Sequence, residues 1–97
     1  MYIQKIACLT AKSGQAQQLR DALLALEALT RDEPGCKAFT FYQAISNPAA
    51  FTLLEWFVDQ AAFDLHLAQP YTHAFFARQL VAGGQAFDAS PGVFAPT

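Results

Sequence analysis

Charge is scarce in this chain. Asp, Glu, Lys and Arg make up 14% of its 97 residues, against roughly a quarter in ordinary soluble domains. The six basic side chains, Lys5, Lys12, Arg20, Arg31, Lys37 and Arg78, are scattered, and the formal net charge is −2. Nucleic acids and anionic membranes are held by clustered bases, so neither is an expected partner. Long apolar runs are also missing: nothing approaches the ~20 residues of a membrane-spanning helix. The start, Met1-Tyr2-Ile3-Gln4-Lys5, lacks the basic segment and long apolar run of a secretory leader. The expected location is therefore cytoplasmic. Cysteine is limited to Cys8 and Cys36, too few for a disulfide framework and without metal-ligand spacing. Both are expected to be reduced, buried strand residues. The chain also has no glycine-rich phosphate loop, no Gly-x-Ser-x-Gly elbow, no His-Glu-x-x-His and no Cys-x-x-Cys.

Apolar surface is what the chain has in plenty: 54% of residues are hydrophobic and 13% aromatic. A chain of this length builds one domain, expected over 1–97, with a core over about 2–89 and a tail over 90–97. A small monomer cannot hide so large an apolar fraction, so an exposed apolar patch is expected, which marks an interface or a ligand groove.

Tyr2 to Thr10, rich in β-formers and closed by Lys12-Ser13-Gly14, reads as a first strand. From Gln15 to Arg31 the apolar residues Ala16, Leu19, Ala22, Leu23, Leu26 and Leu29 recur at helical spacing. Glu33-Pro34-Gly35 stops that helix, because Pro disfavours a helical residue before it. Cys36 to Ile45 reads as a second strand with Phe39, Phe41 and Ile45 on one face. Phe51 to Phe57 is a third strand, apolar almost without alternation, as in strands covered on both faces. Asp59 suits the N-cap of a short helix over Gln60 to Leu67. Pro70 fits the first turn of a helix over Tyr71 to Val81, ended by Gly83-Gly84, and Gln85 to Ala89 is left as a short fourth strand.

This order predicts an α+β fold, a ferredoxin-like βαββαβ sandwich with one antiparallel sheet and its helices on one side. The bare sheet face then needs a cover, and a homodimer packed sheet to sheet supplies it. The first and second strands are separated by the third, which keeps Cys8 and Cys36 too far apart to bridge.

The residues able to carry chemistry gather around the third strand and the two helical segments after it: Glu55, Trp56, His66, Tyr71 and His73, with Phe41 from the second strand. Two histidines without a third ligand do not make a metal site, so no metal is expected. His66 stands among Phe63, Leu65 and Leu67, in the segment that should roof the sheet. Trp56 is most simply a core or interface residue. Glu55, on the opposite face of its strand, needs a partner if it is to be buried ionised, and a structural ion pair is the expectation. Phe75, Phe76 and Leu80 read as core.

At these positions the chain resembles the antibiotic biosynthesis monooxygenase superfamily of dimeric α/β-barrel proteins, which includes quinol monooxygenases. The resemblance rests on Lys12-Ser13-Gly14, on Arg31-Asp32-Glu33-Pro34-Gly35-Cys36, on Leu54-Glu55-Trp56-Phe57, on Ala61-Ala62-Phe63 with His66, and on Pro70-Tyr71-Thr72-His73. It spans roughly residues 2 to 89 and is more specific for fold than for reaction. Haem-degrading members carry Asn, Trp and a ligating His at positions that fall here on Ala7, His66 and Phe76, so haem degradation is not implied. The branch with His at the position of His66 is the closer one.

What this resemblance implies is oxidation of a small aromatic quinol, phenol or anthrone by O2 with no cofactor. Such a ring, once deprotonated, passes an electron to oxygen directly. His66 is then the base, His73 or Tyr71 a hydrogen-bond donor to the developing oxyanion, and Phe41 and Trp56 candidates for an aromatic wall. Two other readings use the same pocket: a proton-shuttling isomerase of a small carbonyl compound, and a non-enzymatic dimeric ligand-binding module.

Overall fold

In the computed structural model of the chain, residues 2–89 are described; the tail 90–97 lies outside them. The elements are β1 (Ile3–Ala11), α1 (Ala16–Arg31), β2 (Cys36–Gln43), β3 (Ala50–Phe57), α2 (Gln60–Leu67), α3 (Pro70–Ala77) and β4 (Val81–Asp88). The four strands form one sheet in the order β2-β3-β1-β4, antiparallel throughout. This is the ferredoxin-like α+β arrangement expected from the sequence.

Strand alternation sends one set of side chains toward the helices. On β3 these are Phe51, Leu53, Glu55 and Phe57, all buried, while the residues between them are half-exposed. Ala7, Ala11 and Phe39 join from β1 and β2, and α1 covers them with Leu19, Leu23 and Leu26. The α1 stripe departs from expectation at its end: Leu29 is exposed and Thr30 is buried in its stead. Ile45, expected on the face of Phe39 and Phe41, lies past the end of β2 and is fully exposed.

The other sheet face contributes no buried residue among those described. There Ile6 stands between Leu54 on β3 and Phe87 on β4, with Trp56, Tyr42 and Cys8 on the same side. Cys8, expected to be buried, is exposed on this face, because none of the described elements of the chain packs over it. Cys36 is half-buried, and both cysteines are free.

The main departure from the expected boundaries is after α3. The helix ends at Ala77 rather than Val81, Gln79 takes a left-handed backbone with φ 52°, and β4 begins at once at Val81. Gly83 and Gly84 are therefore strand residues, not a helix stop. Pairing along nearly the whole of β1, from Lys5 opposite Asp88 to Ala11 opposite Val81, outweighs the local glycine signal. Gly84 suits that ladder by close approach: a Cβ there would come within 3.0 Å of Leu9 Cδ2 and 3.4 Å of the Cys8 carbonyl oxygen.

Candidate functional site

The site begins with the turn between α1 and β2. Asp32 caps α1, and the chain folds back through Glu33-Pro34-Gly35, with the Glu33 N–H donating to the Thr30 carbonyl at 3.0 Å and the Cys36 N–H to the Glu33 carbonyl at 3.0 Å. Gly35 is where α2 comes closest. A Cβ at that position would run into the Ala62 Cβ, so the residue type there sets how near α2 lies to the turn. Asp59 opens α2, its carboxylate accepting from the Ala62 N–H at 2.8 Å.

This approach brings His66 to Glu33. The His66 Nδ1 lies 3.0 Å from Glu33 Oε2, and the Tyr71 hydroxyl donates to the same oxygen. All three groups come from different elements: Glu33 from the turn, His66 from α2 and Tyr71 from α3. The Glu33 carboxylate is buried, and two donors on one oxygen compensate for the water it has lost. Burial, with the hydrogen bond and charge of Glu33, raises the Tyr71 phenol above its ordinary value. It stays a protonated donor at neutral pH. Burial and then the Glu33 charge likewise push the Cys36 thiol up to about 11. That is the opposite of the activation a nucleophilic cysteine needs.

His66 is 3% exposed and packed among aromatic rings, with centroids 5.1 Å from Phe57 and 5.4 Å from Phe39. It lines a cavity of about 390 Å³ between the sheet and the helices, a volume within the range of small-molecule sites. The walls are mainly apolar, with Ala7, Leu23, Leu53 and Phe75 among them. Three other polar side chains stand on the cavity side of their elements: Glu55, Lys5 and Thr72. Burial pushes the Glu55 carboxyl up to about 7, with Lys5 only partly opposing it. Lys5 itself is held by Asp88, Nζ to Oδ1 at 2.8 Å. The expected structural ion pair of Glu55 is therefore not formed among the described residues, since the cation nearest it in sheet register is taken by another acid.

Of the five residues to which the sequence assigns site roles, only His66 lines this cavity. Tyr71 stands behind it, its hydroxyl committed to Glu33 rather than free for an oxyanion. His73 is exposed on α3 and does not reach the cavity. Phe41 packs on Phe51, ring centroids 6.3 Å apart, and does not line it either. Trp56 is on the outer sheet face, edge-on to Tyr2 at 5.4 Å and under the Lys37 ammonium at 5.9 Å. It is Glu55 that takes the cavity side of β3. Glu33, which reads in the sequence as part of a helix stop, is the site residue that sequence reasoning misses. A signal for it exists: a carboxylate in a turn that also carries a glycine and precedes a strand.

The chain is thus an α+β protein with a ferredoxin-like sheet and a buried carboxylate–imidazole pair beside an apolar cavity. The model of the family "Antibiotic biosynthesis monooxygenase" matches residues 2–78, and the chain belongs to that family. Among solved structures, the Shewanella oneidensis protein SO0527 is 31% identical with a TM-score of 0.82, over 89% of this chain and 86% of that one. The Pseudomonas aeruginosa protein PA3566 is 27% identical with a TM-score of 0.85, over 91% of each chain. A structure described as an antibiotic biosynthesis monooxygenase is 25% identical with a TM-score of 0.81, over 94% of this chain and 100% of that one. An uncharacterized Synechocystis protein, sll1783, is 37% identical over 46 residues, 47% of this chain. The match spans about a third of that relative's length, 31%.

Proposed function

We propose that this protein is a cofactor-independent monooxygenase that oxidises a small, electron-rich aromatic quinol, phenol or anthrone with O2 in the cavity lined by His66. The observation that carries this reading is the 3.0 Å bond between His66 Nδ1 and buried Glu33, beside an apolar space of ligand size. With its Nδ1 proton donated to Glu33, the imidazole keeps its lone pair on Nε2, the form a general base requires. The base removes the proton from a ring hydroxyl, or from the anthrone methylene. The resulting anion gives one electron to O2, and the two radicals combine at a ring carbon to form a C–O bond. The hydroperoxide then loses water, leaving one oxygen atom on the product. Both atoms of O2 and all four electrons are accounted for by the substrate, so no external reductant enters. The apolar walls favour a neutral ring and weaken competition from water.

The reading includes a second copy of the chain. The outer sheet face, with Ile6, Leu54 and Trp56 half-buried and Tyr42 and Phe87 exposed, has the apolar character of a sheet-to-sheet dimer interface.

The test is oxygen uptake by purified, metal-free protein against quinols, catechols and anthrones, each beside His66→Ala and an autoxidation blank. Uptake above the blank that is lost in His66→Ala supports the reading. Turnover of a substrate without oxygen uptake would replace it with proton-shuttling isomerisation, and tight binding without turnover would replace it with a binding module.

A further inference from the structure

Two polar side chains at the cavity wall have no partner among the described residues. Glu55 is 9% exposed and makes neither a hydrogen bond nor a salt bridge there. Thr72 is 1% exposed, and its Oγ1 finds no hydrogen-bond partner. Native proteins satisfy nearly all such groups, because an unpaired buried polar atom costs free energy that an apolar side chain would not. Here the two come from opposite sides of one space, Glu55 from β3 on the sheet and Thr72 from α3 above it. Glu55 is the cross-strand neighbour of Phe39, whose ring lies against His66, so the carboxyl and the imidazole belong to the same chamber.

We infer that Glu55 and Thr72 are the specificity-determining polar anchors of the cavity, selecting an uncharged ring molecule that carries a hydroxyl group besides the one presented to His66. The inference rests on the cavity being the ligand site, as proposed above. The Glu55 carboxyl accepts from a ligand hydroxyl in either protonation state, and the bond is charge-assisted when the group is ionised. The threonine hydroxyl either donates or accepts, and so tolerates a hydroxyl or a carbonyl. The same pair rejects anions. Lys5, the cation at the wall, is already bonded to Asp88, so a ligand carboxylate would find no free cation among the described residues of the wall. The charged and titratable groups near Glu55 are thus Lys5 and Cys36 from the sheet, with Asp88 beyond Lys5, and His66 from α2. None of them satisfies its oxygens.

The experiment is anaerobic calorimetric binding of three probes, 1,4-dihydroxynaphthalene, 1-naphthol and 1-naphthoate, to the full chain, Glu55→Leu and Thr72→Val. The wild type is expected to bind the diol about tenfold more tightly than the monool, and the naphthoate least. Glu55→Leu should lose that preference, the ratio of diol to monool affinity falling toward one, and should melt no lower than wild type, since an unpartnered buried acid has been removed. Thr72→Val should weaken diol binding in the same sense. A diol preference that persists in Glu55→Leu overturns the inference and leaves the cavity reading standing. A Glu55→Leu chain that unfolds would make the residue structural and overturn it too. If none of the probes binds the wild type, the cavity reading itself fails and the inference falls with it.

Discussion

His66 Nδ1 lies 3.0 Å from Glu33 Oε2, across a sequence separation of 33 residues, and this bond leaves Nε2 as the ring nitrogen that Glu33 does not engage. A carboxylate on Nδ1 holds the proton there and stabilises the imidazolium that forms when Nε2 accepts a second one. Glu33→Gln removes the charge but not the shape. The expected result is a fall in kcat for oxygen uptake of roughly 10- to 100-fold, with ligand affinity nearly unchanged. Stopped-flow turnover beside calorimetric binding measures both. An unaltered kcat would mean that Glu33 holds the turn together and does not tune the base.

How much of this pair is legible in the sequence depends on distance along the chain. Helix α1, the Asp59 cap and the first three strands follow from period and capping chemistry within short windows, and they stand where expected to within one or two residues. His66 is visible as a polar residue in an apolar helix. Glu33 is not, because its role depends on α2 packing over Gly35, a tertiary contact with no local period. The same holds for β4: Gly83-Gly84 signal a stop locally, and only the free edge of β1 makes them a strand. His73 and Tyr71 are drawn to the site by residue type alone, and the turn of α3 sends one to solvent and the other to Glu33.

Glu55 makes stability depend on pH. Its folded-state value of about 7 exceeds the ordinary 4.5, so the fold is favoured when the carboxyl is neutral. That contribution is complete below about 4.5 and is lost as pH rises through about 7. Its size is roughly 3 kcal/mol by linkage. Urea unfolding across this window should show wild type losing stability relative to Glu55→Gln as pH rises. Parallel curves for the two proteins would mean that Glu55 titrates normally in the folded state.

Gly35 offers a test of how the pair is assembled. Gly35→Ala would drive the new methyl into Ala62, and α2 can relieve this only by moving away from the turn. The expected loss is about 1–3 kcal/mol of stability, the usual cost of overpacking. Oxygen uptake should fall further than stability alone predicts, because the displacement lengthens the His66–Glu33 bond. Ala62→Gly in the same chain removes the clashing atom and should restore part of both. Failure of the second substitution to restore uptake would separate the packing of α2 from the geometry of the base.

The outer sheet face makes the last prediction. Ile6 is flanked by Leu54 on one side and Phe87 on the other, and Trp56 stands at the same level of β3 as Ala38 on β2. Paired against a second copy, these residues leave water, and a charge placed among them would have to be desolvated without a partner. Wild type is therefore expected to run as a dimer in size-exclusion chromatography with light scattering. Leu54→Lys should run as a monomer with unchanged far-ultraviolet circular dichroism. Trp56 fluorescence should shift to the red as its surroundings become wet. Because His66 and Glu33 both lie within one chain, the monomeric variant should keep the His66–Glu33 bond. Any loss of turnover in it would then report on how the sheet face supports the cavity floor at Glu55, two strand positions from Phe57.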